Sequence, residues 1–273
     1  MNVIILVFFL VSILSSIVGS ICGIGGGVII KPVLDAVGIM SVSSISFLSG
    51  CTVLAMSIVS VYKNLRAGKV KLNVKIATAL AVGAAAGGVA GKAMFQGLKD
   101  AVGDENLVGM VQAIVLIAIT LGTLIYTVLK NRIKTKQCDQ IWLCLVIGLL
   151  LGIMSSFLGI GGGPINLVVL AYFFSMSTKE AALSSLYIIM FSQITSLIQT
   201  LGTGTVPEVK ISYFLVMVIG GIAGGMIGSK VNKKIDEENV NKLFIGLMAV
   251  IIGINIYNAV KFGIVRPKVW CLK

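Results

Sequence analysis

Apolar residues form runs along most of this chain that are long enough to cross a lipid bilayer. Six such runs lie at 43–62, 74–98, 107–129, 178–200, 209–229 and 243–260. Since about 20 consecutive apolar residues are needed to span about 30 Å of hydrocarbon, each run predicts a transmembrane helix. With the two further apolar segments described next, the pattern predicts an all-α, polytopic membrane protein of about eight hydrophobic segments.

Two apolar segments, 3–37 and 141–176, are interrupted by glycine. Each is too long for one straight span and too short for two. The first contains Gly23-Ile24-Gly25-Gly26-Gly27, here called the first glycine cluster, and the second contains Gly159-Ile160-Gly161-Gly162-Gly163, the second glycine cluster. We expect each of these segments to be a broken or re-entrant helix, because irregular backbone at membrane depth persists only where protein or a water-filled cavity satisfies it.

The two clusters belong to a longer internal repeat. At the same spacing Met40-Ser41 matches Met176-Ser177, and after one inserted residue a GxxxGxxxG row at Gly83, Gly87 and Gly91 matches one at Gly220, Gly224 and Gly228. Small residues at every fourth position let membrane helices approach closely, so we interpret these rows as packing surfaces. The repeat predicts two homologous units, each opening with the interrupted helix. The predicted divisions are 1–130 for the first repeat, 131–140 for a basic linker, 141–262 for the second repeat and 263–273 for a short basic tail.

Composition and charge agree with membrane insertion. The chain is 57% hydrophobic and 12% charged, with a mean hydropathy of +1.05, which is far from the soluble average. The first 19 residues lack a basic start and a credible cleavage site, so we expect a retained helix and not a signal peptide. The net charge of +12 is concentrated in loops that include 63–71 and 130–136. Basic loops are retained in the cytoplasm, which predicts a multi-pass protein of the cell inner (cytoplasmic) membrane.

Several classes of chemistry are disfavoured by the residue inventory. The chain has no histidine, and its five cysteines include no CxxC pair, so neither a metal site nor a disulfide is expected. No Ser/His/Asp set, HExxH motif, paired intramembrane carboxylates or cofactor motif is present. We therefore expect no enzyme activity, no cofactor and no nucleic-acid partner. The expected partners are the lipid bilayer and a small anionic substrate, and a homo-oligomer is left open.

The glycine clusters are the candidate substrate site. A break exposes the N-terminus of the following helix, whose free N–H groups attract anions, and glycine lets a ligand approach the main chain closely. Hydroxyl and amide side chains follow each break, although serine in membrane helices often bonds only the preceding turn. The alternative is that both clusters are structural bends. The predicted substrate-binding residues are Gly23, Gly25, Gly26, Gly27, Gly159, Gly161, Gly162, Gly163, Asn166, Ser49, Ser57, Ser185 and Gln193.

Lys31 is a candidate for anion attraction or gating, because it follows the first glycine cluster by one helical turn. Asp35 lies one further turn along, so the sequence equally allows a Lys31–Asp35 ion pair or a side chain that reaches the membrane interface. No catalytic residue and no metal ligand is predicted.

The duplicated GxGGG-type motif, in a small protein of about eight apolar segments, resembles the TauE/SafE family of sulfite exporters, also called the toluene-sulfonate uptake permeases. The resemblance covers almost the whole chain. It implies a secondary transporter that moves sulfite, sulfonates or other small organic anions across the bacterial inner membrane, driven by an ion gradient. Substrate, direction and coupling ion remain open, and the alternatives are a passive anion channel or a transporter of a non-sulfur carboxylate.

Two topologies follow from the interrupted segments. If each forms a re-entrant hairpin, the repeats are inverted and the loops near 63–71, 130–136 and 230–234 share one side of the membrane. If each crosses once, the repeats are parallel. We favour inversion, because oppositely oriented halves provide alternating access by exchanging equivalent conformations.

Overall fold

The computed structural model describes residues 2–68, 70 and 72–264, and within them the chain is helical with no strand. Eight of the helices are long and apolar enough to cross a membrane, which confirms the predicted all-α polytopic fold. Residues 265–273 of the predicted tail and two positions of the 63–71 loop lie outside the described residues, and 263–264 belong to the last helix. The helices are α1 (Asn2–Cys22), α2 (Gly27–Val37), α3 (Val42–Ala67), α4 (Val74–Val102), α5 (Glu105–Leu129), α6 (Ile141–Leu158), α7 (Pro164–Phe174), α8 (Thr178–Gly202), α9 (Ile211–Asn232) and α10 (Glu237–Ile264).

The interrupted segments each form a long helix followed by a short one. The short helices α2 and α7 have 11 residues each, which gives a length of about 16 Å, half of a membrane core. Ile30 and Leu34 of α2 pack in one cluster with Phe8 near the start of α1. The chain therefore turns back after α1, and α1 with α2 forms a re-entrant hairpin.

The order of one long, one short and three long helices occurs twice, and the two halves exchange packing partners. Helix α4 packs most extensively on α6 of the other half, and α9 packs on α1. A Cβ atom added at Gly87 would overlap the Leu149 carbonyl, and one at Gly224 would lie 2.6 Å from the Ile13 carbonyl oxygen. The GxxxGxxxG rows are therefore helix-packing surfaces, as interpreted from the sequence.

The helix directions follow from these contacts. Gly83 and Gly91 of α4 meet Leu145 and Ile153 of α6 in the same order along both helices, so α4 and α6 are parallel. Because the α1–α2 hairpin returns the chain to the end where α1 begins, α4 runs opposite to α1. The second half, which opens with α6, thus runs in the direction opposite to the first half.

The bundle has two distinct ends. The N-terminal end holds the start of α1, where Phe8 stacks on Tyr213 with ring centroids 4.8 Å apart, and also the α2–α3, α4–α5 and α8–α9 connections. The linker end holds the α3–α4 and α9–α10 connections and residues 130–140, whose Lys136 N–H donates to the Tyr172 carbonyl. These two names are used below.

Candidate functional site

The two glycine clusters contact each other in the interior of the bundle. A Cβ atom at Gly27 would overlap the Ile160 carbonyl, and one at Gly25 would lie 3.4 Å from the Gly161 carbonyl oxygen. Gly25, Gly27 and Gly161 are all buried. The first glycine cluster, up to the start of α2, therefore lies against the turn that precedes α7, at the junction of the two halves.

Each cluster also packs on the helix that follows the break in the other half. A Cβ atom at Gly23 would overlap Ala182 of α8, and one at Gly159 would lie 2.5 Å from Ser46 Oγ of α3. Ser46 and Ala182 are separated by the same 136 positions as the two clusters. The contacts around the two breaks are thus related by an approximate twofold arrangement.

Glycine is needed where the two breaks touch because the backbone there is left-handed. Gly25 has φ +78° and Gly161, at the equivalent position, has φ +68°. Residues with a side chain rarely adopt this conformation. The tight turn brings successive main-chain groups together at the start of each short helix.

Main-chain N–H groups at this contact have no main-chain acceptor. The N–H groups of Gly23 and Ile24 donate to the Gly19 carbonyl, but those of 25–27 donate to no backbone carbonyl of the described chain. In the second cluster Gly159 donates to the Ser156 carbonyl, and the N–H groups of 161–163 have no such acceptor either. The first N–H groups of a helix have no partner within it, so these donors are available to water or to an anionic ligand.

Hydroxyl and amide oxygens near the clusters are also buried without partners among the described residues. They include Ser49 Oγ, Ser46 Oγ, Ser156 Oγ and Asn166 Oδ1. Ser49 Oγ lies 2.8 Å from the position of a Cβ atom on Gly27, which places this hydroxyl directly at the contact between the breaks. Each hydroxyl can donate a hydrogen bond to an anion.

Two cavities approach the clusters from opposite ends of the bundle. A cavity of about 310 Å³ at the linker end extends from Lys130 and Glu237 to Cys22, the residue before the first cluster. A cavity of about 30 Å³ at the N-terminal end reaches Gly159 and is lined by Lys92 of α4. The closed contact between the clusters therefore lies between two approaches.

A family model described as "Sulfite exporter TauE/SafE" matches residues 8–256. This chain belongs to the TauE/SafE family. The family resemblance stated from the glycine motifs is thereby confirmed, and the protein is a membrane transporter of that family.

Two curated relatives of this TauE/SafE protein carry transporter names. The "Probable membrane transporter protein MJ0441" of Methanocaldococcus jannaschii is 26% identical over 88% of this chain and 91% of its own length. The "Probable membrane transporter protein YunE" of Bacillus subtilis is 27% identical over 41% of this chain, and that match spans less than half of the relative, 43%. No solved structure matches the chain.

The predicted polar residues of this TauE/SafE chain fall into different surroundings. Asn166 Nδ2 donates to Ser185 Oγ over 3.3 Å, and both residues are buried near the start of α7. Gln193 lines the small cavity and donates to Ser155 Oγ over 3.5 Å. Ser57 Oγ donates to the Leu54 carbonyl of its own helix over 2.9 Å, which is the structural alternative stated for the serines.

Lys31 is paired and not free. Its Nζ atom lies 2.7 Å from Asp35 Oδ2, and the two side chains are 3% and 6% exposed. The sequence left open whether Lys31 forms this pair or acts as a gate.

Gly163 differs from Gly25 and Gly161, because its backbone is extended, with φ −169°. A Cβ atom at Gly163 would meet only the Ile160 side chain, at 3.4 Å.

Lys92 is a charged residue next to the candidate site that the sequence predictions omitted. It lies inside α4 on the small cavity, 5.4 Å from the centroid of the Phe95 ring. The available signal was a lysine in the interior of the apolar run 74–98, far from Lys75 at its start, because an ionisable residue inside a membrane segment is by default a functional candidate.

Proposed function

We propose that this TauE/SafE protein is a secondary transporter of small sulfur-containing or organic anions, which bind between the two glycine clusters. The observation that carries the proposal is the contact between two helix breaks whose N–H groups lack main-chain acceptors. Helix N-termini with free N–H groups bind anions, and interrupted helices at a repeat interface are where transporters bind substrate. A transporter binds its substrate saturably and couples the movement of that substrate to an ion gradient. Neither step needs catalytic groups at the site.

The cell inner membrane is the proposed location, with the linker end in the cytoplasm. The described basic residues of this end include Lys63, Arg66, Lys134, Lys230 and Lys234. The N-terminal end carries fewer basic residues than the linker end, and it also carries the acidic residues Asp100, Asp104, Glu105 and Glu208. Retention of basic loops in the cytoplasm supports this orientation.

The proposal is tested by measuring flux into proteoliposomes. Sulfite, thiosulfate, a taurine-like sulfonate, sulfate and a small carboxylate are compared with and without an imposed pH gradient. We expect saturable, gradient-driven uptake of at least one sulfur anion. Flux that rises linearly with concentration and ignores the gradient would instead identify a passive channel, and a preference for the carboxylate alone would move the substrate class away from sulfur.

The location of the site is tested with Gly27→Ala and its equivalent, Gly163→Ala. A methyl group at Gly27 would overlap the Ile160 carbonyl, whereas one at Gly163 meets only the end of a flexible side chain. Overpacking costs about 1–3 kcal/mol, and about 1.4 kcal/mol is tenfold in affinity. We expect Gly27→Ala to insert into the membrane but to lose about tenfold or more in substrate affinity, and Gly163→Ala to keep near wild-type affinity. Near wild-type affinity in Gly27→Ala would contradict a site at the breaks.

A further inference from the structure

Lys92 is a cation held at membrane depth without an acidic partner. It lies ten residues before the end of α4, which is about 15 Å from the helix end, and it is half-buried. All ten Asp and Glu residues belong to the described part of the chain, and none of them lies within ion-pair distance of Lys92. Lys99, two turns further along α4, is paired with Glu105 at 2.7 Å. An unpaired charge at this depth is costly unless a ligand or water compensates it.

The small cavity beside Lys92 contains hydrogen-bond donors that are also unused. Ser46 and Ser156 line it and are 7% and 6% exposed. Neither hydroxyl has a hydrogen-bond partner among the described residues. Gln193 lines the same cavity, and Gly159 of the second glycine cluster forms its inner wall. A cation and two buried free hydroxyls thus face one small space next to the break.

The equivalent position in the other half is closed and carries no cation. Ser20, Ser60 and Ser229 occupy it, matching Ser156, Ser196 and Lys92 of the small cavity across the repeat. Ser20 Oγ lies 2.9 Å from Ser60 Oγ and 3.1 Å from Ser229 Oγ, so these hydroxyls satisfy one another. At this pair of equivalent positions, the free hydroxyls and the lysine therefore occur only at the N-terminal end and are not a general consequence of the repeat.

We propose that Lys92, Ser46 and Ser156 form a recognition site for one compact inorganic oxyanion at the N-terminal end of the pathway. The small size of the site favours a compact ligand, because the cavity beside Lys92 measures about 30 Å³ whereas the cavity at the linker end measures about 310 Å³. Charge-assisted hydrogen bonds from the ammonium and the hydroxyls match oxyanion oxygens. This inference rests on the proposed function and names its substrate class at that end.

The site is tested by calorimetric binding of sulfite, sulfate and benzenesulfonate to the purified full chain in detergent. Hydrogen bonds to charged groups contribute about 1.5–3 kcal/mol, so we expect Lys92→Gln to weaken binding of one of the two inorganic anions by about tenfold to a hundredfold. Lys92→Arg should restore most of the affinity. Ser156→Ala should weaken binding by a smaller factor. Benzenesulfonate carries three oxygens on sulfur, as sulfite does, but its ring is larger than the small cavity. Its binding should therefore not depend on Lys92.

The matched control is Lys75→Gln, which removes the same charge from an exposed position near the start of the same helix. It should bind like wild type. Wild-type affinity for sulfite and sulfate in Lys92→Gln, or equal losses in Lys75→Gln, would overturn the site, and an equal loss for benzenesulfonate would overturn the assignment to compact anions.

Flux measurements separate this inference from the proposed function. Saturable wild-type transport of an inorganic oxyanion with an unchanged half-saturation constant in Lys92→Gln would overturn the Lys92 site and leave the transporter standing. Lys92-dependent binding in a protein that moves no anion in proteoliposomes would overturn transport of these anions and leave the binding site standing.

Discussion

At the residue scale, the end of α2 carries the buried Lys31–Asp35 pair and is tied to the opposite half by polar groups of α10. Both residues lie on α2, and Lys261 of α10 donates to the main-chain carbonyls of Asp35 and Ala36 over 3.2 and 2.9 Å. Asn258 Nδ2 also donates to the Pro32 carbonyl over 2.8 Å. Cations at a helix C-terminus complement its dipole. The end of α2 is therefore anchored by polar groups of α10.

We predict that Lys31→Met destabilises the protein more than Lys31→Met combined with Asp35→Leu. Removing one partner leaves a buried carboxylate uncompensated, which typically costs about 3–5 kcal/mol, whereas replacing both by apolar groups is often neutral. The thermal unfolding midpoint in detergent measures the difference. Lys242→Met serves as the control, because its pair with Glu238 is exposed and should leave the midpoint unchanged.

Transport by the double variant separates a structural pair from a gate. Wild-type flux in a stable double variant would show that Lys31 has no gating role, and lost flux at wild-type stability would restore the gating hypothesis.

The sequence spacing of four residues already allowed the Lys31–Asp35 pair. Helical periodicity shows that two residues are neighbours on one helix face, but it does not show that the face is buried. Lys92 was likewise visible in the sequence, whereas the free hydroxyls beside it come from other helices and required the structure.

At the scale of the helices, the glycine rows determine how closely the two halves approach. The rows on α4 and α9 face carbonyl groups of α6 and α1, and Gly148 and Gly152 of α6 face carbonyl groups of α4 in return. Backbone lies directly against backbone at these crossings. Since such close packing drives helix association in lipid, the crossings are central to the stability of the bundle.

We predict different effects of Gly→Ala at two positions of α4. A methyl group at Gly87 would overlap the Leu149 carbonyl and must push α6 away, whereas nothing lies within 4 Å of a Cβ atom at Gly97. Gly87→Ala should lower the thermal unfolding midpoint. Gly97→Ala should leave it unchanged or raise it, because alanine is favoured over glycine in a helix by up to about 1 kcal/mol. Equal shifts at both positions would contradict the α4–α6 crossing.

The sequence predicted the role of these rows but not their partners. A GxxxGxxxG spacing identifies a face where another helix comes close. It does not say which helix, and here the partner belongs to the other half in both cases. The short helices were similarly predictable as interruptions, since 3–37 was too long for one span, but their return direction depended on contacts such as those of Ile30 and Leu34 with Phe8.

At the scale of the whole molecule, exchange of partners makes the two halves one interlocked body. Helices α1 and α9 pair across the halves, as do α4 and α6, and α5 packs on α10. Neither half buries its glycine rows alone. The two breaks are consequently held against each other by the entire bundle, so a movement that opens one approach to them necessarily rearranges helices of both halves.

The opposite directions of the halves predict a specific pattern of accessible residues. In a cysteine-free background, single cysteines replace Asp100, Glu208, Lys134 and Lys234, all of which are exposed. The bundle places Asp100 and Glu208 at the N-terminal end and Lys134 and Lys234 at the linker end. With the basic linker end in the cytoplasm, a membrane-impermeant maleimide should label the first two in intact bacterial cells and the second two only after permeabilisation. If the cysteine at 208 were instead labelled from the same side as that at 134, and the cysteine at 100 from the same side as that at 234, each interrupted segment would cross the membrane once. The two halves would then be parallel. That outcome would exclude the hairpins on which the proposed site depends.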